Sequence, residues 1–273
     1  MFADLGVGPW LRVGALALIG CGVLPVTAEQ SGQSVTARAH RVPTIAAAAS
    51  LNLALPEIAR QFVRDRGSRV ELVFGASGVL TRQIRDGAPF ELFLAADEEF
   101  PAQLASAGLT RDAGVVYAHG RLAVFAPKGS PLVVDARLDG LAALMAAGGV
   151  TRFAIANPDV APYGRAARAA LQQRGLWDDL RPRVVLGDSV AQAAQFAASG
   201  NAVGGLLAYS AVLSPRMASR GSHAVMALGD HLPLRHRMVL LTRAGPVAAQ
   251  FYTYLQSDAA RSVLRQYGFA VPD

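Results

Sequence analysis

Four segments of the chain end a hydrophobic strand in small or hydroxyl-bearing residues and lead directly into a helix. They span residues 45–50, 73–78, 156–164 and 186–190. The first backbone N–H groups of a helix have no partner inside the helix, and the helix dipole makes that end partly positive. Helix starts therefore bind anions without a cationic side chain. If these four starts meet in one cleft, they form an uncharged cage for a small oxyanion.

An alternation of strand-like and helix-like stretches from residue 42 onward positions these helix starts. The predicted strands are 42–47, 70–74, 90–96, 115–127, 153–156, 184–186, 203–208 and 238–242. The predicted helices are 55–66, 79–85, one capped by Asp97, one within 128–150, 164–174, 190–199 and a tail at 247–267. Alternation of this kind favours parallel sheets with right-handed crossovers. Two such units predict two α/β lobes with a ligand cleft between them.

Five segments, in order, resemble the periplasmic molybdate-binding proteins of ABC importers. They are AAAASL at 46–51, FGASGVL at 74–80, GAPFELFLAAD at 87–97, NPDVAPYGRAA at 157–167 and RQYGF at 265–269. The resemblance covers about residues 42–271 without a large gap. It implies an α/β, two-lobed class II periplasmic binding protein fold, in which each lobe is a mostly parallel sheet flanked by helices.

The resemblance also implies a set of ligand-binding residues. Proteins of this family hold molybdate through serine hydroxyls and backbone amides. By position, the corresponding residues are Ser50 with the neighbouring Ala49 amide, Ser77, Tyr163 and Val190. Molybdenum would then be bound only as its oxyanion, with no direct protein–metal ligand, no cofactor and no catalytic residue. Some relatives have a tyrosine near the position of Leu207 and Ala208, and Tyr209 is not expected to contact the ligand.

Two α/β units with a C-terminal segment that returns to the first predict a lobe 1 of residues 42–122 and 238–273 and a lobe 2 of residues 123–237. By the resemblance, the loaded protein would deliver molybdate or tungstate to a membrane permease driven by a cytoplasmic ATPase, and we expect it to be a monomer. The alternatives that remain open are a binding protein of the same fold for another oxyanion, such as sulfate, and a serine hydrolase. Asp188 would repel a dianion, so its carboxylate is expected to point away from the cleft.

The N-terminal residues predict export to the periplasm. Residues 1–28 contain Arg12, a short apolar run and a small-residue cleavage site after Ala28, which is typical of a signal peptide. Residues 29–41 then form a polar leader. An alternative is lipid anchoring through Cys21, because the preceding residues resemble a lipobox. The protein would contact the membrane only through the permease or through this lipid.

Composition excludes several classes of function. Cys21 is the only cysteine, which argues against disulfides, zinc sites and cysteine nucleophiles in a mature chain. The net charge of +6 comes from scattered arginines, and 7% aromatic residues do not supply the stacking surface of a nucleic-acid site. An enzyme is not expected, because Gly75-Ala-Ser77-Gly78 lacks the full nucleophile-elbow motif. The histidines, including His119, His223, His231 and His236, are expected at the surface or at strand edges.

Overall fold

Ten strands form two five-stranded sheets within residues 41–272, the part of the chain that the computed structural model describes. The strands are β1 (Thr44–Ala48), β2 (Glu71–Gly75), β3 (Phe90–Leu94), β4 (Val115–Gly120), β5 (Leu122–Pro127), β6 (Phe153–Ala156), β7 (Val184–Gly187), β8 (Gly204–Ala208), β9 (Gly221–Val225) and β10 (Leu234–Leu240). The first sheet has the order β2-β1-β3-β10-β4 and the second has the order β7-β6-β8-β5-β9. We call each sheet, with its flanking helices, lobe 1 and lobe 2 respectively.

Both sheets are mixed, and they are built in the same way. In lobe 1, β1 pairs in parallel with β2 and β3, whereas β10 is antiparallel to both β3 and β4. In lobe 2, β6 pairs in parallel with β7 and β8, whereas β5 is antiparallel to both β8 and β9. One strand in each sheet therefore runs against the other four. The predicted two-lobed α/β fold with mostly parallel strands is confirmed.

Helices flank both sheets, most of them near a predicted position. They are α1 (Ala54–Arg66), α2 (Ser77–Arg85), α3 (Glu99–Ser106), α4 (Asp139–Ala146), α5 (Pro162–Gln173), α6 (Trp177–Leu180), α7 (Val190–Ala198), α8 (Tyr209–Val212), α9 (Pro215–Ala218), α10 (Pro246–Tyr254) and α11 (Asp258–Gln266). Helix α1 ends at Gly67, whose φ of 68° is the left-handed conformation that glycine adopts easily. Its buried face packs against the C-terminal helices, where the Phe62 ring lies 5.0 Å from that of Phe251.

Several predicted elements have different bounds in the structure. The single strand expected at 115–127 is two strands, β4 and β5, that belong to different sheets and are separated by Arg121. Strand β9 and the short helices α6, α8 and α9 were not predicted, and β10 begins at Leu234 rather than at 238. The predicted helical tail is divided into α10 and α11. The N-cap position of α3 is held by Glu98, not by Asp97 as predicted. Asp97 lies one residue earlier, and its carboxylate accepts the Phe100 N–H at 3.2 Å.

The predicted signal peptide, the Cys21 lipidation site and the predicted leader up to residue 40 lie outside the described residues. Within residues 41–272, none of the helices has both the length and the apolar character that crossing a bilayer requires.

Candidate functional site

A small cavity lies where the carboxyl ends of parallel strands from the two sheets meet. Its volume is about 10 Å³ in this structure. It is lined by Ala48, Ala49, Ser50, Gly75, Ala76, Ser77, Ala96, Ala161, Pro162, Tyr163 and Val190. All five residues predicted as ligand-binding positions are in this set. The structure therefore brings the four helix starts together, as the sequence pattern predicts.

Lobe 1 contributes two buried serines to the cavity. Ser50 lies in a short 3-10 helix, Ala49–Leu51, that directly follows β1, and Ser77 is the first residue of α2. Their exposed fractions are only 2% and 1%. Small residues precede both serines, so the backbone at the end of each strand can approach a ligand closely.

Lobe 2 contributes the first turns of two helices. Pro162 and Tyr163 begin α5, and Val190 begins α7. Proline is well suited to a first helical position because its missing N–H would have had no helical acceptor. The amides of Tyr163 and Val190 lie in first turns, where N–H groups have no acceptor inside the helix. Ser189 caps α7 by accepting the Gln192 N–H at 3.4 Å.

The Ser77 hydroxyl is arranged to donate a hydrogen bond into the cavity. Its Oγ accepts the Ala96 N–H at 3.0 Å. Because this bond uses an oxygen lone pair, the hydroxyl proton is left for another acceptor. Ala96 was not among the predicted site residues, although its place just after β3, beside the ends of β1 and β2, was a usable signal.

The Ser50 hydroxyl is held by a histidine that the sequence did not associate with the site. Ser50 Oγ lies 3.0 Å from His236 Nε2, and His236 Nδ1 lies 3.0 Å from the Leu234 carbonyl oxygen. A carbonyl oxygen only accepts, so Nδ1 carries the proton of the neutral ring and Nε2 accepts from the Ser50 hydroxyl. The Ser50 carbonyl in turn accepts the Ser210 hydroxyl of lobe 2 at 2.8 Å.

The expectation that the histidines lie at the surface is wrong for two of them. His236 is fully buried and His231 is only 6% exposed. Burial lowers the pKa of His236 to about 4; the nearby His119 also lowers it, whereas the Leu234 carbonyl raises it. His236 is therefore a neutral ring at neutral pH in this conformation. Sequence reasoning missed it because its partners come from distant segments of the chain.

Two tyrosine hydroxyls near the site are buried without a hydrogen-bond partner among residues 41–272, those of Tyr117 and Tyr163. Burial raises the pKa of Tyr163; the nearby Ser50 side chain offsets this rise in part, without forming a hydrogen bond of normal geometry. Gly120 makes room for this packing. A Cβ atom at position 120 would lie 2.2 Å from the Tyr163 hydroxyl and 2.7 Å from His236 Cε1.

The lining of the cavity carries no charged side chain, and no cluster of metal-ligating residues is found in the described part of the chain. Asp188 is exposed, so its carboxylate does not enter the cavity, as predicted. Neither Leu207, Ala208 nor Tyr209 lines it. A ligand held here must be bound by neutral donors and helix starts, which favours a small anion.

Comparisons with known proteins identify the family. Residues 43–270 match the model of a family described as bacterial extracellular solute-binding protein. The chain belongs to this family. Over 230 residues it is 35% identical to the molybdate-binding protein ModA of Azotobacter vinelandii, covering 83% of this chain and 89% of that protein. It is 34% identical to the molybdate-binding protein ModA of Rhodobacter capsulatus, covering 95% of this chain and 96% of the other.

The fold is also that of a solved member of the family. The structure of the periplasmic molybdate-binding protein of Azotobacter vinelandii superposes with a TM-score of 0.77 at 28% identity, covering 85% of this chain and 100% of that chain. These relatives are solute-binding proteins rather than enzymes, so this family member is a binding protein and the hydrolase alternative is not favoured.

Proposed function

We propose that this protein captures molybdate, and also tungstate, in the cavity between its lobes and delivers it to an ABC importer. The observation that carries the proposal is the set of uncharged donors from both lobes, above all Ser77, whose hydroxyl proton is available to the cavity. The similar proteins of Azotobacter and Rhodobacter are named for molybdate binding. Molybdate is then a transported ligand and not a cofactor.

The proposed contacts are the Ser50 and Ser77 hydroxyls and the amides of Ala49, Tyr163 and Val190. A buried dianion is costly unless its oxygens find donors. Each hydrogen bond to a charged group contributes about 1.5–3 kcal/mol net, so several bonds together offset the loss of hydration. Neutral donors also hold the anion without a direct salt bridge, which favours release to the importer.

Binding from both sides couples ligand capture to closure of the lobes. The two sides of the cavity belong to different sheets, so a ligand that contacts both favours the closed arrangement. We place the first lobe boundary near residue 122, between β4 and β5, and the second near residue 234, where β10 begins. The closed, loaded form is the state that a permease, powered by its cytoplasmic ATPase, would recognise, with the binding protein acting as a periplasmic monomer. Lipid attachment at Cys21 is the alternative to a freely diffusing form.

Sulfate is the principal alternative ligand, because it is also a tetrahedral dianion. It is smaller than molybdate, so a rigid cage sized for molybdate would leave some donors unpaired around sulfate. Unpaired buried donors reduce affinity. Selectivity for molybdate over sulfate is therefore a direct test of the proposal.

Isothermal titration calorimetry of the mature protein with molybdate, tungstate, sulfate and phosphate tests this function. We expect tight binding of molybdate and tungstate, with sulfate and phosphate at least about 100-fold weaker, as two or more unpaired donors would produce. A protein that binds sulfate as tightly as molybdate would contradict the cage-size argument. Absence of heat with both molybdate and tungstate would overturn the proposed function.

A further inference from the structure

His236 lies directly behind the proposed anion site, and its hydrogen bonds fix the direction of the Ser50 hydroxyl proton. Because His236 Nδ1 is bound to the Leu234 carbonyl oxygen, Nε2 is the acceptor and the Ser50 proton points toward the ring. In this arrangement Ser50 Oγ can turn only a lone pair toward the cavity. A lone pair repels an oxyanion, so beside a neutral His236 the Ser50 hydroxyl can donate to the anion only if it leaves the buried Nε2 without a donor.

We propose that His236 is a positioning residue that takes up a proton when the dianion binds, which reverses the Ser50 hydrogen bond and turns the Ser50 proton toward the ligand. The step needs one proton and no other reactant. A proton from solvent attaches to Nε2, Nε2–H donates to Ser50 Oγ, and the Ser50 O–H donates to an oxygen of the anion. Nδ1–H keeps its bond to Leu234. This inference rests on the proposed function.

The electrostatics of the site favour this uptake. A dianion bound to Ser50 would place two negative charges about 6 Å from the ring, which favours the imidazolium by about 10⁴-fold at an effective dielectric constant of about 20. Burial lowers the pKa of His236 to about 4 in the empty site. A bound dianion is therefore sufficient to bring His236 into its charged form near neutral pH.

None of the groups that face His236 is better placed than His236 to accept the proton. Tyr117 and His119 face it from β4 and Tyr163 faces it from α5; burial raises the pKa of both tyrosines, so they stay neutral. The Phe269 ring, 5.2 Å away, supplies no charge from the C-terminal segment. The two arginines that flank His236 in β10 are paired with a glutamate, Glu98.

Calorimetric titration with molybdate in buffers of different ionisation enthalpy measures the number of protons taken up. At about pH 7.5 we expect more than about half a proton per molybdate in the wild type, with affinity that falls up to about tenfold for each unit rise in pH. His236→Gln keeps an amide that can bond to Ser50 but does not titrate. Its binding is expected to be independent of pH and without proton uptake.

Two control variants test whether the proton goes elsewhere. His119→Gln removes the neighbouring histidine, and Asp97→Asn removes a buried carboxyl near the cleft; both should keep the uptake. Nitrogen-15 NMR of the imidazole rings provides a readout that does not depend on any variant's affinity. We expect His236 to change from the neutral Nδ1–H form to the imidazolium when molybdate is added.

The outcomes separate this inference from the proposed function. Molybdate binding with no proton uptake, or with a His236 ring that stays neutral, overturns the inference and leaves the function intact. Uptake that persists in His236→Gln also overturns it. A wild-type protein that binds neither molybdate nor tungstate at any pH overturns the function itself.

Discussion

Arg165 of helix α5 forms an ion pair with Asp97, which lies three residues after the end of β3 in the other lobe. The guanidinium also lies 3.4 Å from a Glu99 carboxylate oxygen, and its carbon is 5.0 Å from the centre of the Phe100 ring. The side chains of Arg165 and Asp97 are only 24% and 12% exposed. This pair therefore joins the lobes at the edge of the cavity, in a partly desolvated place.

Two further contacts hold the lobes together beside this ion pair. The Gly78 N–H donates to the Val160 carbonyl at 2.9 Å, and the Ser210 hydroxyl donates to the Ser50 carbonyl. Each joins a helix start or loop of one lobe to the other lobe. The described structure is thus closed, and the ion pair between Arg165 and Asp97 contributes to the closed state.

Removing Arg165 is expected to weaken molybdate binding. In Arg165→Gln the Asp97 carboxylate would remain buried in the closed state without its cationic partner, which is more costly than losing both charges. We expect affinity to fall about tenfold or more, and Arg165→Gln/Asp97→Asn to recover part of this loss. Arg168→Gln, on the same helix, is the matched control. Additive effects of the two substitutions, measured by calorimetry, would contradict the coupling.

Ser77→Ala is expected to reduce molybdate affinity by about 10- to 100-fold, because it removes a hydrogen bond to a charged ligand. The variant also leaves the Ala96 N–H without its acceptor, so a modest loss of thermal stability is expected as well. Ser50→Ala should weaken binding too. Ser222→Ala, at an exposed position in β9, should change neither property. Unchanged affinity in both Ser77→Ala and Ser50→Ala would mean that the site lies elsewhere.

Much of the fold could be predicted because hydrophobic strands alternate with amphipathic helices and are separated by glycine or serine turns. The division of residues 115–127 into two strands at Arg121 could not be predicted. Residues 115–127 are mostly apolar and resemble one long strand; only the pairing of β4 with β10, and of β5 with β8 and β9, divides them between the sheets. Strand β9 was missed because its sequence, GSHAV, is partly polar and it lies at the edge of its sheet.

Some residues of the site could likewise be predicted from the local sequence, whereas others depend on tertiary contacts. Ser50, Ser77 and Val190 were predictable because each follows the end of a strand, where parallel sheets bring such residues together. His236 was not, since its bond to Ser50 joins positions 186 residues apart. A histidine between two arginines in a strand gives no local sign of burial. Only the packing of β4, α5 and the C-terminal segment around it produces that environment.

Tyr163→Phe is expected to keep molybdate affinity within about threefold of the wild type, because the proposed contact is the backbone N–H and not the hydroxyl. Removing a buried hydroxyl that has no partner among the described residues is also expected to leave the free energy of unfolding unchanged or raised by up to about 1 kcal/mol. Calorimetry and urea unfolding measure the two effects. A tenfold loss of affinity with intact stability would show that the hydroxyl contacts the ligand.

Asp97 is expected to make the folded protein less stable as pH rises from about 4 to about 6. Burial raises its pKa from 3.8 to about 6, against the effects of Phe100 N–H and Arg165, so the folded protein binds its proton more tightly than the unfolded chain does. The size of the effect is about 3 kcal/mol. Urea unfolding of the wild type and Asp97→Asn at about pH 4.5 and pH 7 should reveal it as a difference between the two profiles. Parallel profiles would contradict it.

In the ligand-free protein, His236 is expected to make the folded state more stable as pH rises, which is opposite to the effect of Asp97. Burial lowers its pKa from 6.5 to about 4, so the folded state favours the neutral ring. Its contribution, about 3 kcal/mol, is fully present above about pH 6.5 and is lost as pH falls to about 4. The opposing effects of Asp97 and His236 partly cancel in the wild type, so single variants are needed to separate them. Relative to His236→Gln, the wild type should lose stability on acidification in urea unfolding. If the two proteins respond equally to acid, His236 does not remain neutral in the folded state.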